Sequence, residues 1–187
     1  MTNQNANEVV VGANGQIYVA ATTVAGPTAV DSVLDVGFTE LGFMSEEGAK
    51  ISDAKTVEAI GAWQSFYAIR RIVTAREFSV SFALRQWNRE NVPFALGGGL
   101  VTGTPGDYKY TPPGPSVIDE RSLVLDWQDG TKNFRLYIPR GMTQDSVESA
   151  LMRTAAADLP IVFSVLSDGV TDPYSLFTDD PAFASGS

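Results

Sequence analysis

The chain has 187 residues, 44% hydrophobic and 19% charged, with 17 Gly, 10 Pro, no His, no Cys and a formal net charge of -9. Such a length and balance predict one globular domain with a sizeable core, many turns and a leaning toward β-structure. The missing residue types exclude a Ser-His-Asp triad, a thiol nucleophile, an imidazole base, a His/Cys zinc site and a disulfide, so any catalysis would rest on carboxylates and lysines, and no cofactor is nominated.

In chain order, the opening "MTNQNANEVVVGANG" lacks the basic and apolar regions of a signal peptide, and no apolar run approaches the ~18 residues of a membrane span. A soluble chain outside the membrane is expected, with an N-terminal arm over about residues 1–15. Short extended elements are predicted at Ile17 to Ala20 and Val33 to Leu41, joined around Gly26-Pro27. Residues 45–62 have neither a helical nor a strand period and read as a long loop, of the kind that is usually functional or ordered by a partner. Ser65 to Val73 is rich in aromatic and β-branched residues. Arg76 to Arg85 alternates strictly, Phe78, Val80, Phe82 and Leu84 on one face and Glu77, Ser79, Ser81 and Ala83 on the other, which is the pattern of a half-buried strand.

"NRENVPFALGG" predicts the one helix, capped by Asn88 or, since Pro93 is tolerated only near a helix start, by Asn91. Gly97 to Gly99 invites a phosphate-loop reading, but no Gly-Lys-Ser/Thr follows and the run reads as a turn. "TGTPGDYKYTPPGP" is a second turn-rich excursion. "SLVLDWQDGTKNFRLYIPRG" predicts a hairpin about Asp129-Gly130, with alternating apolar residues on both arms. Asp145 to Arg153 and Leu159 to Leu166 read as a further antiparallel pair, followed by a C-terminal arm over about residues 168–187. The economical architecture is a mainly β fold, a β-sandwich or flattened barrel with one short flanking α-helix.

Charge is segregated along the chain. All 13 basic residues lie between Lys50 and Arg153, whereas residues 1–49 carry six acids and residues 154–187 five. Acidic ends around a near-neutral middle do not suit a nucleic-acid binder, which needs a basic stripe, but do suit terminal arms lying on another subunit. Carboxylate pairs occur at Glu46-Glu47, Asp119-Glu120 and Asp179-Asp180. Two acids across a cleft suffice for a glycosidase, but each pair sits beside Gly, Pro or Ser, where solvated turn acids are the ordinary reading. Trp63, Trp87 and Trp127 leave open a carbohydrate-binding or adhesin-like β-sandwich with tryptophan sugar platforms, although core placement is the better reading of Trp87 and Trp127.

The segment "EGAKISDAKTVEAIGAWQSFYAIRRIVTAREFSVSFALRQWNRENVPFALGGG", Glu47 to Gly99, resembles the central region of major tail tube proteins of long-tailed bacteriophages. The matching positions are Thr56, Ile60, Ala62, Trp63, Gln64, Arg70, Arg71, Phe78, Phe82, Leu84, Asn88 and Gly97; Gly61 stands where a charged residue would be usual. The resemblance implies two packed β-sheets with a flanking helix, no catalytic, cofactor or metal site, and hexameric rings stacking into the virion's tail tube. It also implies assembly in the host cytoplasm, tape-measure, tail-terminator and tail-tip proteins as further partners, and DNA passing through without specific binding. On that reading Trp63, Gln64, Arg70, Arg71, Tyr174, Phe177 and Phe183 are expected at subunit interfaces. Strand alternation assigns Glu77, Ser79 and Ser81, with Glu148 of the predicted strand near the end, to the tube lumen, where neutral or acidic side chains let phosphates slide.

Overall fold

A computed structural model of the protein describes residues 5–144 and 147–184. Its strands are β1 (Asn14–Ala21), β2 (Thr39–Glu40), β3 (Lys50–Ala62), β4 (Ser65–Leu84), β5 (Leu100–Thr104), β6 (Asp107–Thr111), β7 (Arg121–Asp129), β8 (Lys132–Thr143), β9 (Leu159–Val165) and β10 (Ser175–Thr178), and its helix is α1 (Asn91–Ala95). All pairings are antiparallel. The main sheet runs β2-β1-β7-β8-β9-β4-β3, with β10 on β8, while β5 and β6 form a separate two-stranded sheet.

The alternation visible in the sequence builds the core. Ile17 and Val19 of β1, Leu123 and Leu125 of β7, Leu136 and Ile138 of β8, Ile161 and Phe163 of β9, and Val80 and Phe82 of β4 all enter one buried cluster. One cluster drawing on both ends of a single sheet means that the sheet folds over onto itself. The fold turns at β8, which changes partner along its length: Phe134 to Tyr137 pair with β10, and Gly141 to Thr143 pair with β9. Gly141 is required at that corner, since a Cβ there would stand 2.4 Å from Cε1 of Phe163 and 2.6 Å from the carbonyl of Ser164. The result is the expected mainly β architecture with one short helix, but the barrel is not closed: β2 and β3 end the sheet as separate edges.

The helix packs Phe94 against Phe163 of β9, ring centroids 5.9 Å apart. Glu90 stands at its cap position without a side-chain bond, and Asn88 does the capping instead, its Oδ1 accepting from the N–H groups of Glu90 and Asn91. Pro93 thus falls in the first turn. Of the glycines that follow, Gly99 is a steric necessity: it has φ 108°, and a Cβ there would meet the carbonyl of Thr111 at 2.7 Å.

Several expectations are corrected. Residues 50–62 form a strand rather than part of a loop, and residues 65–84 form one continuous strand rather than two. The hairpin loop is Gly130-Thr131, one residue beyond the predicted pair, with Asp129 opposite Lys132 and Gly130 at φ 60°, as a two-residue loop with glycine first requires. Only Thr39–Glu40 of the stretch from Val33 to Leu41 is extended in a pair. Asp145 and Ser146 lie outside the described residues, and residues 147–153 are irregular; Leu159–Val165 pairs with β4 and β8 instead. The "TGTPGDYKYT" excursion is the β5–β6 hairpin. The C-terminal arm is docked on its own subunit through β10, through Tyr174 stacked on Phe78 at 3.8 Å, and through buried Asp180 paired with Lys132 at 2.8 Å. Among the described residues no helix is long and apolar enough to cross a membrane.

Candidate functional site

Beyond the body of the fold, β3 and the first two thirds of β4 form a free ribbon. β9 covers β4 only from Ser79 to Leu84, so Ser65 to Phe78 have β3 alone as a neighbour, and the outer edge of β3 pairs with nothing among the described residues. A bulge between Thr56 and Val57 twists it. The apolar content explains why it is built yet exposed. Val57 opposes Val73 across the ladder, and this apolar pair with the backbone ladder holds the two strands together without any third layer. A bidentate ion pair adds to them, Arg76 Nε and Nη2 donating to Asp53 at 2.9 and 2.6 Å, and this contact holds the Asp53 carboxyl below its usual range.

At the tip, Trp63 and Gln64 form the turn. Trp63 is 101% exposed, Phe66 108% and Tyr67 85%, so Trp63 is not a core residue. Arg70 opposes Ile60 and Arg71 opposes Ala59; both are exposed, and neither enters an ion pair among the described residues. The structure therefore brings Trp63, Gln64, Arg70 and Arg71 together on one projecting element. Tyr174 and Phe177 are elsewhere, half-buried against β4 and β8, and Phe183 is exposed in a 3-10 turn after β10. Sequence reasoning passed over Phe66, Tyr67 and Ile72 as surface residues, because an apolar residue in a strand reads as core when the sheet around it is not known.

The face of β4 away from the core carries Glu77, Ser79 and Ser81 as predicted, and the register extends it sideways. Ser79 lies between Ser52 of β3 and Ser164 of β9, and Ser81 between Lys50 and Val162. The strip is mostly small and polar, with Lys50 and Val162 flanking Ser81. Glu148 does not join it by strand pairing, since its segment is irregular; the residue is exposed there.

At the base of the ribbon the unclosed side of the barrel opens into a cleft of about 1470 Å³. One wall is the end of β1 with the stacked rings of Trp127 and Phe134, 5.3 Å apart and 6° from parallel; the other is residues 42–49, carrying Phe43, Glu46 and Glu47, and Ile51 at the start of β3. Trp127 is partly buried: it packs against the core cluster on one side and lines the cleft on the other, so the expected core placement holds only in part. Trp87 is half exposed, its indole N–H donating to the carbonyl of Ala157, which corrects its core placement.

The carboxylate pairs are engaged in structural contacts. Asp119 binds Arg121, Glu120 binds Arg140 in a bidentate pair, Asp179 accepts from the backbone and side chain of Asn133, and Glu46 and Glu47 lie near Arg85 and Lys50 on the surface. The hydrogen bonds of Arg140 and Asn133 hold Glu120 and Asp179 below their usual range, favouring the ionised form throughout the neutral region. Among the described residues no three acidic side chains converge where an ion could be held.

An apolar ribbon held out into solvent, beside an open barrel, has the form of an assembling unit. A protein-family model described as "Phage tail tube protein" matches residues 1–186. The chain belongs to the phage tail tube protein family. This tail tube protein is accordingly a structural component of a virion tail. No curated protein matches the sequence. Among solved structures, a chain from "Virion of native gene transfer agent (GTA) particle" aligns over 95% of this chain and 99% of its own, at 11% identity and a TM-score of 0.40.

Proposed function

We propose that this tail tube protein assembles with itself into hexameric rings that stack as a hollow tube, the conduit through which DNA leaves the particle. The observation that carries the reading is the β3–β4 ribbon. An isolated two-stranded hairpin is marginal in water, and a ribbon with unpaired edges and exposed aromatic residues is a template for pairing with another chain. Ring formation needs a heterologous contact that closes, and the two separate sheet edges, β2 with β1 on one side and β3 on the other, supply unlike partners for it. Closure would leave each subunit's sheet continuous with the next and remove the free edges.

The serine strip is the surface suited to the lumen: beside Glu77, Ser79 and Ser81 stand the neutral Ser52 and Ser164 and a single cation, Lys50, which is no basic stripe for counterion release, so DNA would pass without being held. Tape-measure, tail-terminator and tail-tip proteins are the partners such a tube would meet along its axis and at its ends, and assembly would occur in the host cytoplasm. Electron microscopy of the purified, concentrated protein tests the reading. Rings with six-fold symmetry, or tubes made of them, are expected; a strictly monomeric protein under every condition overturns it.

A further inference from the structure

The chain between β8 and β9 carries a helical sequence in a conformation that is not helical. Residues 147–157 read "VESALMRTAAA": Val147, Ala150, Leu151, Thr154 and Ala155 recur at i, i+3, i+4, i+7 and i+8, and Glu148, Ser149 and Arg153 all fall on the opposite face. Ala, Leu, Met, Glu and Arg, the strong helix formers, fill eight of the eleven positions. The segment is nevertheless irregular, with a bend at residues 153–155.

The observed conformation has two defects that a helix would remove. Leu151 is 80% exposed with Met152 beside it 59% exposed, and Ser149 Oγ is buried without a hydrogen-bond partner among the described residues. Apolar surface left in water and a buried polar atom left unpaired both raise the free energy. On a helix Leu151 would join Val147 on the apolar face, and Ser149 would turn to the polar one. Length explains why the lone subunit does not take that form. Eleven residues fall short of the ~12–15 that an isolated helix needs in water, so the apolar face must be covered before the helix is stable. Within the subunit only Val147 of that face packs against the core. Both ends are anchored: the N–H of Gln144 donates to the carbonyl of Val162 at 2.9 Å, and the carbonyl of Ala157 accepts from the indole N–H of Trp87 at 2.7 Å. The chain between these points can change conformation without unpairing β8 or β9.

We propose that residues 147–157 are a switch segment, irregular in the free subunit and an amphipathic helix once a second copy of this chain covers its apolar face. The inference rests on the self-assembly reading above and adds to it an element that folds on contact. Another copy is the occupant because the partner that every tail tube subunit meets is its own kind. DNA is not, because the face carries no cation to meet a phosphate.

The test separates backbone from side chain at one position. Met152 lies at the middle of the segment and off the apolar face. Met152→Ala keeps a helix former, whereas Met152→Pro disfavours a helix interior by about a hundredfold in the equilibrium constant. Both variants should melt like wild type as free subunits, since position 152 is exposed in an irregular stretch. Met152→Ala should then assemble at the wild-type concentration, and Met152→Pro only at a concentration about a hundredfold higher. In the wild type, the amides of residues 151–157 should pass from fast to slow hydrogen exchange on assembly, and the helical part of the infrared amide I band should rise to roughly three times that of the five-residue α1. The wild-type measurement decides the matter even where the proline variant fails to fold. Tubes in which these amides still exchange fast, or a folded proline variant that assembles like the alanine one, overturn the switch and leave self-assembly standing. Slow exchange already present in the free subunit also overturns the switch. A wild-type protein that stays monomeric overturns both.

Discussion

Asn91 carries more of the fold than its place in a five-residue helix suggests. It is fully buried, and its Nδ2 donates to the carbonyl of Leu41 at 2.9 Å and to that of Gln86 at 2.8 Å, tying the helix start to the segments before and after β3 and β4. Neither carbonyl belongs to a ladder at that point, so no backbone N–H replaces the amide if it is lost. Asn91→Leu keeps the branched shape, though with bulkier methyl groups, and removes both donors. Each unsatisfied carbonyl costs about 1–3 kcal/mol, and a chain of this size loses about 2–4 °C of Tm per kcal/mol, so thermal unfolding should shift down by roughly 5–15 °C. Far-UV circular dichroism on heating checks this, and an unchanged midpoint would show that the two carbonyls find other donors. The sequence indicated Asn91 as a possible cap; it could not indicate burial, because the partners are separated from it by 50 and 5 residues, and only the turn of the chain across the sheet brings the first one near.

At the scale of elements, β10 decides what the C-terminal segment is for. Polar composition predicts an arm ordered only in the assembly, yet Ser175 to Thr178 take the stretch of β8 edge that β9 leaves free, Tyr174 stacks on Phe78, and Lys132 holds Asp180. Deleting residues 172–187 should therefore lower the melting temperature of the free subunit itself, by several degrees, before any effect on assembly is read. A truncated subunit that melts like the full chain would return the segment to the status of an arm. The contrast with the ribbon shows what was legible. Strands with one buried face announce themselves by period two, as Phe78, Val80, Phe82 and Leu84 do; β7 and β8 are buried on both faces in part, yet their large apolar residues alternate in the same way. Residues 50–62 have no buried face, hence no period, and a strand with both faces in solvent looks like a loop. Of the candidate site, the tip residues Trp63 and Gln64 and the pair Arg70-Arg71 were legible; the cleft was not, because its walls come from β1, β7, β8 and the segment before β3.

For the whole molecule, the balance of charge sets a pH limit. Five carboxylates titrate below their ordinary values: Asp53 through Arg76, Glu120 through Arg140, Asp179 through Asn133, Asp180 through Lys132, and Asp168 through the N–H groups of Val170 and Thr171, which bring it to about 2. They are distributed over the ribbon, the β7–β8 region and the C-terminal segment, so no single element bears the effect. In the unfolded chain these groups titrate near pH 4. Between that value and their native ones the unfolded state binds more protons than the native state, and stability must fall as pH falls. The contribution is complete above about pH 5, declines from pH 4 downward, and for Asp168 is spent only near pH 2. With no histidine in the chain, nothing in the side-chain inventory adds a transition between pH 5 and 8. Melting temperature measured from pH 8 to pH 2.5 at constant ionic strength should stay level down to about pH 5 and then fall steeply. Asp168→Asn should flatten the part of that fall nearest pH 3, because the amide carries no proton to exchange while its oxygen still accepts from the same loop.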